Sequence, residues 1–321
     1  MTTPGRPLSF GIKTSQMGVS YEQILDVWRE ADQVPVFGHA WLWDHMVPLR
    51  GDITGAALEA WTLLPALAAQ TSRPRLGVIV TSNRLRSPTL LAKMAATVDI
   101  IAAGRLVFGI GAGGSRVAAD NPAVREYAAY GVPLVSPAEA VRDLAQTCEI
   151  VRRMWTEPAP FDFDGPSVRL RGAVCEPKPV QQPHPPILIG GQGDRMLRVV
   201  AEHADIWNYP GPPSAQFRQR DRVLREHCAA IGRDSSEITR SMQTIVRCDD
   251  PAAPAVTRAL LLEMIEAGVT HIVLAAILGG RPVRWLADEI IEPVLAQARH
   301  RCPGAGLRTA GRPLCQRRIR D

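Results

Sequence analysis

Eight short apolar runs, each followed by an amphipathic stretch, predict an α/β chain folded as a (β/α)8 TIM barrel. Two further observations point the same way. The chain has 321 residues, 46% hydrophobic and 21% charged, enough for one large core and within the size range of one barrel with insertions. Polar and glycine-rich residues gather where apolar runs end, at Asp44-His45, Thr81-Ser82-Asn83, Gly109 to Gly114 and Gly190 to Gly193. In a barrel, those are the carboxyl ends of strands, where sites are built.

In chain order, strands are expected at 8–13, 39–43, 75–81, 105–110, 186–190, 204–208, 240–247 and 270–275. The helices between and after them are expected at 20–33, 57–70, 88–102, 137–155, 194–203, 214–231, 254–267 and 284–297. The third helix has the clearest face: Leu90, Leu91, Met94, Ala95, Val98 and Ile101 recur at three- and four-residue spacing, and Gly104 stands just past its end. The fourth opens on Ser136-Pro137-Ala138-Glu139, an N-cap with Pro in the first turn, and continues with Val141, Leu144, Cys148, Val151 and Trp155 on one side. Two connections break the rhythm, 112–136 after strand four and the Pro-rich 156–185 after helix four. The first leaves the catalytic face and is expected to make a lid or substrate pocket; the second is expected to wrap the barrel from the opposite face.

The amino-terminal residues lack a charged-then-apolar signal pattern, and no run approaches the ~18 apolar residues of a membrane span, so a soluble cytoplasmic protein without membrane partners is expected. Six cysteines are scattered without a Cys-x-x-Cys pair or metal-ligand spacing to histidine, which argues against structural zinc and a disulfide framework. The formal charge is +5, but 298–321 holds seven Arg and one Asp, a net +6, so 1–297 carries about −1. The expected organisation is therefore a barrel over 1–297 and a basic, disordered tail over 298–321, with no specific nucleic-acid partner.

Asp44-His45 ends the second predicted strand as an adjacent ionisable pair, readable alone as a solvated strand terminus or as catalytic groups. Gly109-Ile-Gly-Ala-Gly-Gly114 matches G-x-G-x-x-G, yet three βα units precede it and no apolar-faced helix follows, so a dinucleotide-binding fold is rejected. Ile187-Leu-Ile-Gly-Gly-Gln-Gly-Asp194 runs from strand through a glycine turn into a helix, where free N–H groups and the helix dipole favour a phosphate, or where a tight structural turn would look the same.

These segments together, with Arg75 to Asn83, the 91–99 helix, Gly104 to Gly113, Lys178 to Gly193 and Ala204-Asp-Ile-Trp-Asn208, resemble the luciferase-like monooxygenase superfamily, and within it the oxidoreductases dependent on the deazaflavin coenzyme F420. The resemblance covers roughly 8–297. It implies a barrel, often homodimeric, with coenzyme F420 (alternatively FMN) at the carboxyl ends of the strands. By position, Asp44 and His45 would line the ring; Ile79, Val80, Thr81 and Asn83 would back it, with a non-prolyl cis peptide at Ile79–Val80. Gly111, Ala112 and Gly113 would approach the cofactor, and Gly190, Gly191, Gln192 and Gly193 would hold its phosphate. His45 is the first candidate for proton transfer, with Asp44 and Glu126 as further catalytic candidates; Tyr127 and His271 are weaker ones. At Gly114, Ser115 and Arg116 the chain departs from the family pattern, so a remodelled substrate pocket is expected.

The function expected is hydride transfer between reduced deazaflavin and an unsaturated C=C or C=N small-molecule substrate, or its reverse, as in a natural-product biosynthetic reductase. The alternatives are an FMN-dependent luciferase-like monooxygenase and a non-catalytic sensor barrel that only binds the cofactor.

Overall fold

The third predicted strand explains how the barrel closes. In the computed structural model, which describes residues 7–49, 51–113, 122–212 and 214–301, it is broken into β3 (Arg75–Val78) and β4 (Thr81–Ser82). Between them the Ile79–Val80 peptide is cis, as the resemblance implied. The other barrel strands are β1 (Ser9–Lys13), β2 (Phe37–Leu42), β5 (Phe108–Gly111), β8 (Ile187–Gly190), β9 (Ile206–Tyr209), β10 (Thr239–Arg247) and β11 (His271–Ile277). The hydrogen-bonded order β3-β2-β1-β11-β10-β9-β8-β5-β4 begins and ends on the two halves of one strand, so eight strands form a ring, all pairs parallel.

Alternation along each strand sorts the core into two parts. Trp41, Ile79, Val107, Leu188, Ile206 and Val273 fill the barrel interior. The outward residues, such as Phe10, Ile12, Phe37, Ala40, Val78, Phe108 and Ile110, pack under the helices. At the amino-terminal half of the interior His39 and His271 stack with ring centroids 3.8 Å apart. Trp41 Nε1 donates to His39 Nδ1 (2.6 Å), and His271 Nδ1 lies 2.8 Å from Ser241 Oγ.

The helices α1 (Tyr21–Gln33), α2 (Ala60–Ala69), α3 (Pro88–Ile101), α5 (Pro137–Thr156), α6 (Asp194–His203), α7 (Ser214–Ala230) and α8 (Ala253–Glu266) follow the expected positions. Capping boxes at Ser20/Gln23 and Ser136/Glu139 start α1 and α5. α2 begins three residues later than expected because the Glu59 carboxylate caps the Trp61 and Thr62 amides. The last predicted helix is α9 (Arg284–Leu286), a π turn over Ala287–Ile291 and α10 (Glu292–Arg301). Pro293 has no N–H to continue an α-helical ladder, which accounts for the wide turn just before it. Arg73, Arg105 and Arg233 reach the carbonyls at the carboxyl ends of α1, α2 and α6, satisfying groups that the helices leave open.

Two elements are absent from the sequence reading. The first long connection contains α4 (Pro122–Ala129); the Gly114 to Arg116 departure lies outside the described residues. The second contains an antiparallel hairpin, β6 (Phe161–Asp164) and β7 (Arg169–Ala173). It runs along α5, where Ser167 Oγ donates to Asp143 (2.5 Å), then returns beneath the barrel, where Gln181 Nε2 donates to Asp99 (2.7 Å) and the Leu106 carbonyl (2.8 Å). No helix among the described residues is long and apolar enough to cross a membrane.

Burial lowers the pKa of His271 from 6.5 to about 3, and burial together with the His271 charge holds His39 well below its ordinary value. Both rings are neutral in the folded chain and protonate on unfolding. Their contribution to stability is complete above pH ~6.5 and declines as pH falls; for His271 the decline runs toward about 3, by on the order of 1.4 kcal/mol per pH unit, and His39 adds to it in the same direction. Urea unfolding across this range should therefore give a steep acid slope that a His39→Leu/His271→Leu variant flattens; equal slopes in parent and variant would contradict the assignment.

Candidate active site

The end of β2 organises the mouth of the barrel. Asp44, two residues past the strand, is buried; Arg86 holds it in a bidentate pair, both contacts at 2.9 Å, and the Ser82 amide donates to it at 2.7 Å. Arg86 also pairs with Glu59. Burial pushes the Asp44 carboxyl upward, against Arg86 and the Ser82 amide; for Arg86, burial acts downward but Asp44 and Glu59 outweigh it and the net shift is up. With both oxygens receiving N–H donors the pair is ionised, and Asp44 is a positioning group that ties the end of β2 to β4.

His45 then projects at the mouth with its side chain 31% exposed. Glu126, delivered by α4 and buried, lies 3.2 Å from His45 Nδ1 and accepts the Met46 amide at 2.5 Å. His45 Nε2 has no hydrogen-bond partner among the described residues. A ring fixed through Nδ1 presents Nε2 to the mouth, as an acceptor when neutral and a donor when protonated. The neighbouring Tyr127 hydroxyl meets Ser82 Oγ at 2.5 Å, which fastens α4 to β4.

The other expected site residues divide by what their side chains face. Ile79 joins the interior core and Val80 packs against it. A Cβ on Gly111 or Gly190 would come within 2.7 or 2.8 Å of the Val80 side chain, so these glycines make room for Val80 where strand ends converge. The side chain of Thr81 receives Trp61 Nε1 (3.1 Å) and so serves the packing of α2, away from the mouth. Asn83 is buried with Oδ1 unpartnered among the described residues, and its amide donates to the Gly111 carbonyl. Ala112 packs on the outer core. Gly113 (φ +76°) lies where a Cβ would meet Ser82 Oγ, the Tyr127 hydroxyl and Arg84. Gly191 has φ +147° and Met196 against its missing Cβ, whereas Gln192 and Gly193 are exposed and Gly193 opens onto free space. Gly193 is the N-cap of α6 and supplies no side-chain cap.

Sequence reasoning did not single out Lys13, Trp43, Gln243, Arg86 or Glu59. Lys13 ends β1, donates to Gln243 Oε1 at 2.5 Å and sits 4.5 Å above the Trp43 ring, whose centroid is 6.1 Å from that of His45. Burial lowers its pKa from 10.5 to about 8. The signal for Lys13 was a charged residue closing an apolar strand, the same signal that marked Asp44-His45.

A family described as luciferase-like monooxygenase matches residues 8–307. A phthiodiolone/phenolphthiodiolone dimycocerosates ketoreductase of Mycobacterium sp. (strain JLS) is 31% identical over 196 residues, 60% of this chain and 48% of that protein. The chain thus spans about half the length of that relative. An F420-dependent glucose-6-phosphate dehydrogenase of Kineococcus radiotolerans is 28% identical over 256 residues, 79% of this chain and 72% of its own. Among solved structures, an F420-dependent secondary alcohol dehydrogenase in complex with an F420-acetone adduct superposes with TM-score 0.76 at 18% identity, over 90% of this chain and 99% of that one. That likeness establishes the fold.

Asp44→Ala should destabilise the barrel by about 2 kcal/mol in chemical denaturation, because it leaves the buried Arg86 guanidinium with Glu59 as its one carboxylate and the Ser82 amide without its acceptor. A loss below ~1 kcal/mol, the range of exposed pairs, would show that the pair does not tie β2 to β4.

Proposed function

The chain belongs to the luciferase-like monooxygenase family, and from that premise we propose that it is a coenzyme F420-dependent oxidoreductase. It moves a hydride between the reduced deazaflavin and an unsaturated carbon of a small molecule. The observation that carries this reading is the His45–Glu126 pair, a proton-handling couple at the carboxyl ends of the strands with Nε2 presented to the mouth. Coenzyme F420 appears in the names of two of the similar proteins. The names ketoreductase and secondary alcohol dehydrogenase extend the candidate bonds from C=C and C=N to C=O.

The residues present fit such a cofactor. The Asn83 Oδ1 and Trp43 Nε1 atoms are buried without partners among the described residues, an acceptor and a donor suited to a flat heterocycle. Gly191, Gln192 and Gly193 lead into α6, whose first amides have no side-chain cap, so a phosphate can take their place.

Coenzyme F420, when bound, supplies the hydride, which no protein side chain can carry. The chain supplies position and a proton. Protonated His45 gives its Nε2 proton to the reduced substrate; in the oxidative direction neutral Nε2 takes the hydroxyl proton. Glu126 holds the ring through Nδ1 and stabilises the imidazolium. Asp44 keeps His45 beside β4 through Arg86 and the Ser82 amide.

A second reading, an FMN-dependent monooxygenase, is supported by the family's name. Fluorescence titration separates the two: the proposal expects tighter binding of oxidised coenzyme F420 than of FMN, and the reverse order assigns the chain to the second reading. Gly193→Asp should cap α6 and leave thermal stability unchanged or raised, yet weaken coenzyme F420 by at least about tenfold, ~1.4 kcal/mol, through repulsion of the phosphate. Unchanged affinity in the folded variant would move the phosphate elsewhere.

His45→Ala should lower F420-dependent turnover of a panel of alcohols, ketones, imines and enoates by ~10²–10⁴-fold, and Glu126→Gln by ~10–100-fold, with cofactor affinity retained. Full turnover in His45→Ala would place the proton route on another group. Cofactor binding with no turnover in the parent protein would favour the sensor reading.

A further inference from the structure

Lys13 has no role in the proton route, yet its surroundings are those of a ligand-binding cation. It lies on the inward face at the carboxyl end of β1, where it is partly accessible from the mouth. One ammonium N–H is engaged by Gln243 Oε1 at 2.5 Å, and Gln243 is itself held by Asn208 Oδ1 at 3.4 Å. The Trp43 ring face takes the charge from another side at 4.5 Å. An ammonium has three N–H donors, so one stays available. Among the described residues no carboxylate forms an ion pair with it, whereas Asp44, Glu59 and Glu126 at the same mouth are all committed to other partners. A half-buried cation lacking a counter-ion is costly unless a ligand supplies one.

Strand alternation sets the rest of the surface. Gln243 faces inward, so Ile245, two residues on, shares that face; Val273 lies in the interior core, so Ile277, four residues on, does too. Both isoleucines are exposed, Ile245 by 67% and Ile277 by 46%, on adjacent paired strands: Ala275 pairs with both Lys13 and Ile245, and Ile277 lies two residues beyond it. The mouth thus presents a proton-handling imidazole and an uncompensated ammonium that both adjoin one indole, with an apolar wall nearby.

We propose that Lys13 binds a carboxylate of the substrate, so that the molecule oxidised or reduced beside His45 is an organic acid, an oxo acid, hydroxy acid or enoate, whose apolar part lies on Ile245 and Ile277. The inference rests on the oxidoreductase reading for the identity of the site and adds the chemical class of its substrate. The lowered pKa of Lys13 is consistent with a desolvated position that still carries its proton near neutral pH.

Equilibrium binding tests it without requiring turnover. The F420-loaded protein is titrated with phenylpyruvate and cinnamate, and with their uncharged counterparts phenylacetone and cinnamamide, by saturation-transfer NMR. Each acid should bind more tightly than its neutral partner. Lys13→Gln should remove ~10- to 100-fold of the acid's affinity, the worth of a hydrogen bond to a charged group, without changing that of the neutral partner, and Lys13→Arg should restore most of it. Neutral probes that bind as well as the acids, acids that do not bind, or acid affinity unchanged in Lys13→Gln would each overturn the assignment while leaving F420 dependence intact. A fall in coenzyme F420 affinity in Lys13→Gln equal to the fall for the acids would also overturn it, by giving the lysine to the cofactor. Failure of the parent protein to bind coenzyme F420 at all is a different result and refutes the F420-dependent reading itself.

Discussion

The mouth of this barrel depends on one buried carboxylate. Asp44 accepts two N–H groups from Arg86 and one from the Ser82 backbone, joining the end of β2 to the far side of the break between β3 and β4. The proposed proton route is arranged from that tie. His45 is the next residue, Ser82 carries the Tyr127 contact that fastens α4, and α4 brings Glu126 to His45. The interaction is strong because it is buried and bidentate, and its cost of desolvation is offset by three directed donors. Glu59 adds to the same arginine from the start of α2, so the second and third βα units meet at one guanidinium.

The interior explains why the strands can converge there. Val80 stands at the break in the third barrel strand and occupies the space that Cβ atoms on Gly111 and Gly190 would need. Glycines that read as places for a ligand to approach backbone are used in part to pack a side chain, and the proposed anion site is left to Gly191, Gln192 and Gly193 at the uncapped start of α6. The sites proposed for proton, phosphate and ammonium chemistry are thus carried by different strands of a single ring, β2, β8 and β1 respectively, with the barrel as their common frame.

Much of this was legible in the residues alone. Apolar runs and helix caps placed the eight barrel strands and the helices between them to within a few residues, because periodicity reports burial of local faces directly. Asp44-His45 stood out because two ionisable groups closed an apolar strand. What sequence did not reveal depends on contacts far apart in the chain: Arg86 across 42 positions from Asp44, and Gln243 across 230 from Lys13. The hairpin of β6 and β7 was hidden by its shortness: FDFD alternates buried Phe161 and Phe163 with exposed Asp162 and Asp164 over only four residues, and RLRGA has no buried residue. Thr81 shows the limit of position-by-position inference: it sits at the strand end as expected, but the break between β3 and β4 shifts the alternation after Ile79 and turns the Thr81 side chain outward to Trp61.

The proposed cofactor site joins a held imidazole, an uncapped helix start and the unpartnered Asn83 and Trp43 atoms. The most direct test of that union is a crystal structure of the protein soaked with coenzyme F420. The account predicts the phosphate at Gly191 to Gly193 and the deazaflavin ring at the mouth within reach of His45 and Asn83. A cofactor bound elsewhere, or a phosphate far from the start of α6, would contradict it.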